Sequence, residues 1–184
     1  MKRFLSILTV FASVSLFAQP LAIIPQPAQV RVAEGSFTLN QGGGLMFDAS
    51  KPELQNIAVQ LNDHLKQFYG FTLPVNEKGK EAISFKLIKS LPGTDESYLL
   101  KVDSKGIVIS AKNAAGIFYG VQSLKQILPV SQNGPLTVPY AEIIDQPRFA
   151  WHGLHLDVGR HNFPVSIIKK YIDYIAMNKL NTFK

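Results

Sequence analysis

The segment Trp151–Lys184, WHGLHLDVGRHNFPVSIIKKYIDYIAMNKLNTFK, constrains this chain more than any other. It reads as a strand over His152–Asp157, a turn carrying Arg160 and His161, a helix over Val165–Asn178, and the first residues of a second strand. Strand, helix and parallel strand form the unit from which a (β/α)8 barrel or a doubly wound α/β domain is built. In both architectures the ligand-contacting groups gather on loops at the carboxyl ends of the strands. A parallel strand buries both its faces against neighbours and crossover helices. One such unit is not a finished domain, so the segment is expected to be the truncated start of a larger one.

Composition narrows the remainder. The 184 residues, 46% apolar and 17% charged, belong to a foldable globular protein with room for one ordinary domain and a little more. The formal charge of +6 falls to about +4 once Lys2 and Arg3 are assigned to a leader. The other basic residues are scattered among acidic ones, which argues against nucleic acid as a partner, since that needs a concentrated basic face. Lys2-Arg3, the apolar run Phe4–Phe17 and the small residue Ala18 read as a secretory signal peptide over 1–18, too short for a membrane span. The sequence contains no cysteine, which excludes a lipoprotein anchor, disulfides and thiolate metal sites. The expectation is a secreted or periplasmic protein with no membrane anchor.

Between the leader and the last segment, residues 19–146 alternate strand and helix signals. Gln19–Pro27 is a proline-rich lead-in, expected to run extended along the surface. Short strands are expected at Val30–Val32, Ser36–Leu39 and Leu45–Phe47, with Gly42-Gly43-Gly44 as a flexible turn. Leu54, Ile57, Leu61, Leu65 and Phe68 recur at helical spacing and predict a helix over Pro52–Tyr69, closed by Gly70. Strands follow at Phe71–Val75 and Ala82–Ile88, then a hairpin of Tyr98–Val102 and Ile107–Ser110. A second helix, Ala114–Leu128, is capped by Asn113, and its Gly116 and Gly120 are placed for close approach to a sheet. Strands at Leu136–Val138 and Ala141–Ile144 complete an α+β layer, a mixed or antiparallel sheet with two helices on one face. Asp145-Gln146-Pro147-Arg148 reads as the linker to 147–184.

Chemistry is sparse in the first part. His64 has no second ligand at metal spacing on its helix and reads as a solvated or capped histidine. Glu53, Glu77, Glu81, Asp95 and Glu96 read as surface. In the last segment, His152 and His155 would point to opposite faces of a strand and cannot share a metal. His155 and Asp157 share a face, and Arg160 follows with a planar fork of donors suited to adjacent hydroxyls or a carboxylate. Arg160 bracing the turn by pairing with Asp157 is the equally weighted alternative. Asp173 lies on the helix, away from the strand ends. The two carboxylates of ordinary glycoside hydrolysis are therefore not found together.

Two blocks are familiar. The run Trp151-His-Gly-Leu-His-Leu-Asp157-Val-Gly-Arg160-His161-Asn-Phe163-Pro164 resembles the start of the catalytic TIM barrel of glycoside hydrolase family 20, the β-N-acetylhexosaminidases. That family shows W-R-G-L-x-L-D-x-S-R-H-F-x-P there. Upstream, Ile24-Pro25-Gln26-Pro27 and Gly116-Ile-Phe-Tyr119-Gly120-Val-Gln122 resemble the family's N-terminal domain. Gly159, Asn162 and Lys184 depart from the pattern, standing where the family usually has serine, an aromatic and histidine.

The resemblance implies an exported glycosidase that removes terminal N-acetylhexosamine from glycans by a substrate-assisted retaining mechanism, without a cofactor or metal. It implies that Arg160 binds hydroxyls of the terminal sugar, with Asp157 and His161 as its support. The family's aspartate, which orients the acetamido group, and its glutamate, which protonates the leaving oxygen, are not in this sequence. The chain is thus expected to be an inactive N-terminal fragment, with no catalytic residue of its own. Leu154, Leu156, Ile168, Ile172 and Ile175 are expected to be uncovered, and proteolysis to trim the chain to near Asp145-Gln146-Pro147. Two other readings are a non-catalytic carbohydrate-associated module and another glycosidase family with a similar N-terminal domain.

Overall fold

The computed structural model describes residues 21–76, 81–130 and 135–184; the expected signal peptide, Gln19 and Glu77 lie outside them. Helix α1 (Pro52–Tyr69) forms where the apolar stripe requires it. Pro52 sits in the first turn, where its missing amide has no helical partner to lose. Gly70 ends the helix with φ of 78°, and its amide donates to the Lys66 carbonyl. Leu54, Ile57, Leu61 and Leu65 are buried, while Phe68 is 44% exposed. For His64 the sequence leads to a solvated or capped histidine. It is half-buried, its ring 4.6 Å from that of Phe68, and loss of solvent with Lys125 nearby pushes its pKa down to about 4.

Six strands form a mixed sheet: β1 (Gln29–Leu39), β2 (Gly44–Met46), β3 (Glu81–Leu87), β4 (Tyr98–Asp103), β5 (Gly106–Ala111) and β6 (Leu136–Asp145). Their order is β1-β6-β4-β5-β3-β2. Pairing is antiparallel from β1 across to β5 and parallel from β5 through β3 to β2. Parallel neighbours cannot be joined by a tight turn, and α1 is the crossover between β2 and β3. The β4–β5 hairpin turns at Ser104-Lys105, with the Asp103 carboxylate accepting the Lys105 amide at 2.8 Å.

The register puts Ile83 and Phe85 beside Ile107 and Ile109, these beside Val102 and Leu100, and Leu100 in turn beside Ile143. All seven are buried, and one contiguous core joins them to both helices. Each such side chain contributes roughly 1.5–3 kcal/mol relative to exposure. Helix α2 (Ala114–Ile127) lies on β4 and β5, with α1 alongside it. The Asn113 side chain caps α2 by accepting the amides of Ala115 and Gly116.

The strand boundaries differ from the sequence expectation in instructive ways. Residues 29–39 form one strand rather than two, with an irregularity between Val32 and Ser36. Gly35 sits there at φ 107°, and the Tyr140 ring occupies the space a side chain would need. Opposite lies Pro139, so β6 runs unbroken through a proline placed where the ladder is already irregular. Residues 71–75 are not a strand beyond a single bridge between Val75 and Leu45. Here Asn62 on α1 exchanges two hydrogen bonds with the Leu73 backbone, taking the groups a ladder would use. The lead-in is not wholly on the surface: Ile23 is buried in the core, and Gln126 holds the Ile24 backbone through both its side-chain atoms.

The last segment forms a small β-α-β unit: β7 (Gly153–Leu154) pairs parallel with β8 (Thr182–Phe183), and α3 (Val165–Met177) connects them. The strand expected over His152–Asp157 is thus two residues long, although Leu156 still donates to the Lys184 carbonyl at 2.7 Å. Asp145 does not begin an exposed linker. It ends β6 and binds Lys179, which follows α3. Leu154 and Ile172 are exposed as expected, but Ile175 is buried. Together with Gln126, whose amide reaches the Met177 carbonyl, these contacts seat the unit on the sheet-and-helix layer.

Close approach of α2 to the sheet depends on its glycines. A Cβ at Gly116 would lie 2.6 Å from the Ala111 Cβ and closer still to the Ser97 carbonyl oxygen, which belongs to backbone. Gly116→Ala is therefore expected to destabilise by about 1–3 kcal/mol through overpacking, outweighing the ~1 kcal/mol that alanine gains over glycine in a helix. Urea unfolding of both proteins measures this; unchanged or raised stability would contradict the packing described.

Candidate functional site

The loop between β7 and α3 is organised by one carboxylate. Asp157 Oδ1 accepts the amides of Gly159 at 2.9 Å and Arg160 at 3.1 Å, and Oδ2 accepts Arg160 Nε at 2.5 Å. These donors, led by the Arg160 amide and then its guanidinium, hold the Asp157 carboxyl below the usual carboxylate range. The Arg160 side chain is 84% exposed. Because Asp157 engages Nε, the two terminal nitrogens are left for a ligand, in the fork that suits vicinal hydroxyls or a carboxylate. The pairing that braces the turn and the presentation of a binding fork are therefore one arrangement.

His161 is exposed, its ring edge-on to Phe163 at 6.4 Å, and it makes no hydrogen bond to Asp157 or Arg160. The structure thus joins Asp157 to Arg160 but does not join His161 to either. At Gly159 there is room for a side chain, since a Cβ would meet only Asp157 Oδ1 at 3.5 Å. Lys184 places its ammonium 5.5 Å from the centroid of the Trp151 ring. Among the described residues, no group of three or more His, Asp or Glu side chains is placed to hold a metal ion. Nor, among them, is any helix long and apolar enough to cross a membrane.

A cleft of about 580 Å³ lies between the β-α-β unit and the layer, lined in part by Glu96, Tyr119, Asp145, Phe149, His152 and Lys179. Its polar groups were not legible as a set. Glu96, which reads as surface, is half-buried and takes His152 Nε2 at 3.2 Å and Asn181 Nδ2 at 3.0 Å. It also faces Tyr119, whose pKa is pushed up to about 12, first by burial and then by that carboxylate. The sequence signal for the set is Lys179-Leu180-Asn181 just after a helix, where two polar side chains turn back toward the layer.

Residues 21–146 match the family profile described as glycosyl hydrolase family 20, domain 2, and residues 149–184 match its catalytic domain. The chain belongs to glycosyl hydrolase family 20. A β-hexosaminidase from Porphyromonas gingivalis is 38% identical over 170 residues, covering 88% of this chain and 22% of that protein. The solved family 20 β-N-acetylhexosaminidase of Streptomyces coelicolor superposes with a TM-score of 0.82 at 37% identity, over 90% of this chain and 34% of that one. An exo β-N-acetylglucosaminidase from Vibrio harveyi, solved with N-acetylglucosamine, gives 0.77 at 30% identity, over 89% and 25%. This family 20 chain therefore spans about a fifth to a third of the length of the relatives described.

The Asp157 turn makes a pH prediction. A carboxyl whose folded pKa is depressed contributes order that is full above its unfolded value of 3.8 and is lost as pH falls through the lower folded value. The Gly159 and Arg160 amide resonances should therefore titrate below the ordinary carboxylate range. In Arg160→Ala the midpoint should move up toward it. A midpoint at the ordinary value in the unmodified chain would show that the turn is not held this way.

Proposed function

We propose that this chain is the N-terminal part of an exported β-N-acetylhexosaminidase, in which 19–146 supports the catalytic domain and 147–184 opens its (β/α)8 barrel. The substrate class is a glycan ending in N-acetylhexosamine, and the protein acts in the periplasm or outside the cell. The observation that carries this reading is the Arg160 fork, fixed through Nε by Asp157 and exposed on the loop that leaves the carboxyl end of β7. That is the position from which barrel enzymes contact their ligands. The parallel β7–α3–β8 unit supports the barrel assignment, and the names and bound sugar of the relatives support the substrate class.

In this reading Arg160 donates two charge-assisted hydrogen bonds to hydroxyls of the terminal sugar, and Asp157 keeps the fork from rotating away. His161 serves only as a neighbour that stiffens the loop through Phe163. The acid and the acetamido-orienting carboxylate come from sequence beyond Lys184. The apolar lead before Ala18 and the absence of cysteine support export without a lipid anchor.

The test is kinetic, on three proteins. The 184-residue chain should not hydrolyse an aryl N-acetylglucosaminide, since general acid catalysis alone contributes about 10²- to 10⁴-fold. The product of the reading frame continued past codon 184 should hydrolyse it. In that longer protein Arg160→Ala should lower kcat/KM by about 10- to 100-fold, the worth of hydrogen bonds to a charged donor. Turnover by the short chain, or an unchanged kcat/KM in the variant, would overturn the proposal.

A further inference from the structure

Lys179 is the only lysine among the described residues that is buried, and nothing in the proposed chemistry uses it. Its ammonium lies 2.8 Å from Asp145 Oδ2, 3.2 Å from the Tyr98 hydroxyl and 3.2 Å from Ser123 Oγ. An ammonium has three N–H donors and no acceptor. It meets three oxygens here, and each of its donors is satisfied.

Those three oxygens come from three elements of the layer: Tyr98 from β4, Ser123 from α2 and Asp145 from the end of β6. They also hold one another. Tyr98 donates to Asp145 Oδ2 at 2.9 Å and is 2.5 Å from Ser123 Oγ, while Asp145 Oδ1 accepts the amides of Ala28 and Gln146. With Ser123 donating to Tyr98 and Tyr98 to Asp145, lone pairs on all three oxygens remain for a cation. Burial, then the Asp145 charge, pushes the Tyr98 pKa up, so the phenol stays protonated. The incoming lysine belongs to the other unit, at the turn after α3, where Lys179 adopts φ of 59°. A non-glycine residue in that left-handed region costs about 1 kcal/mol or more and persists where surrounding contacts require it.

We infer that Tyr98, Ser123 and Asp145 form a primary-ammonium binding site on the sheet-and-helix layer, and that Lys179 is the plug that docks the β7–α3–β8 unit into it. The site is built from the layer alone, and the cleft beside it borders Tyr98, Asp145 and Lys179, which gives a small cation a route from solvent. A ligand with N–H donors on a narrow alkyl stem fits. A quaternary ammonium, which has no donors, does not.

Hydrogen exchange on the 184-residue chain tests this. In Lys179→Ala, amides of α3, β7 and β8 should exchange about tenfold faster or more, as expected when a buried pair is broken, while amides of β4 and β5 hold their rates. Methylammonium or ethylammonium should restore slow exchange in that variant, and tetramethylammonium should not. Adding Asp145→Asn should abolish the rescue. Unchanged exchange in Lys179→Ala, or loosening that no primary amine repairs, would overturn the inference. If the alanine variant does not fold, Lys179→Met keeps the stem and removes the donors. It should loosen the same amides, and wild-type protection in it would equally overturn the inference.

Discussion

Helix α2 is covered on nearly every side, and the rest of the structure is arranged around that burial. Gly116 and Gly120 bring its backbone onto the β4–β5 hairpin, and Ile117, Val121 and Leu124 join the core. The opposite flank does different work. Tyr119 faces Glu96, Ser123 faces Tyr98 and Lys179, and Gln126 grips both the Ile24 backbone and the Met177 carbonyl. One helix thus sets the distance between the sheet and everything packed beyond it. A change in how deeply α2 sits would shift Ser123 relative to Tyr98 and reach the β-α-β unit through Lys179.

The Asp157–Arg160 loop is built on another principle. Its order is local, since one carboxylate takes two amides and a guanidinium within three residues. Such a turn keeps its shape wherever it is carried. What the layer contributes is its placement: β7, from which the loop departs, is tied back through His152 to Glu96 and through β8 and Asn181 to the same carboxylate. Shape comes from the loop and location from the docking.

Much of this was legible in the sequence because it depends on local rules. The stripe over Pro52–Tyr69, the Asn113 cap, the hairpin around Ser104-Lys105 and the glycines of α2 each follow from spacing or backbone freedom, and each is where those rules place it. The Asp157–Arg160 pair is separated by one turn and was readable for the same reason. What escaped was non-local. Glu96 reads as surface and Asp145 as linker because their partners, His152, Asn181 and Lys179, lie 34 to 85 residues away. A buried lysine carries no periodicity, since it looks like any exposed one until its acceptors are assembled. Likewise the strand expected at 71–75 failed because a side chain on α1 claimed its backbone.

The β-α-β unit, with two-residue strands and one helix, is too small to hold itself and is held by the layer. Trp151 is the only tryptophan in the chain, lies at the base of that unit and is 63% exposed with Lys184 above its ring. Denaturant unfolding followed at once by Trp151 fluorescence and by far-ultraviolet circular dichroism separates the two possibilities. Coincident transitions, the mark of one cooperative unit, are the predicted result. A Trp151 transition complete before the bulk of the secondary structure is lost would contradict the account.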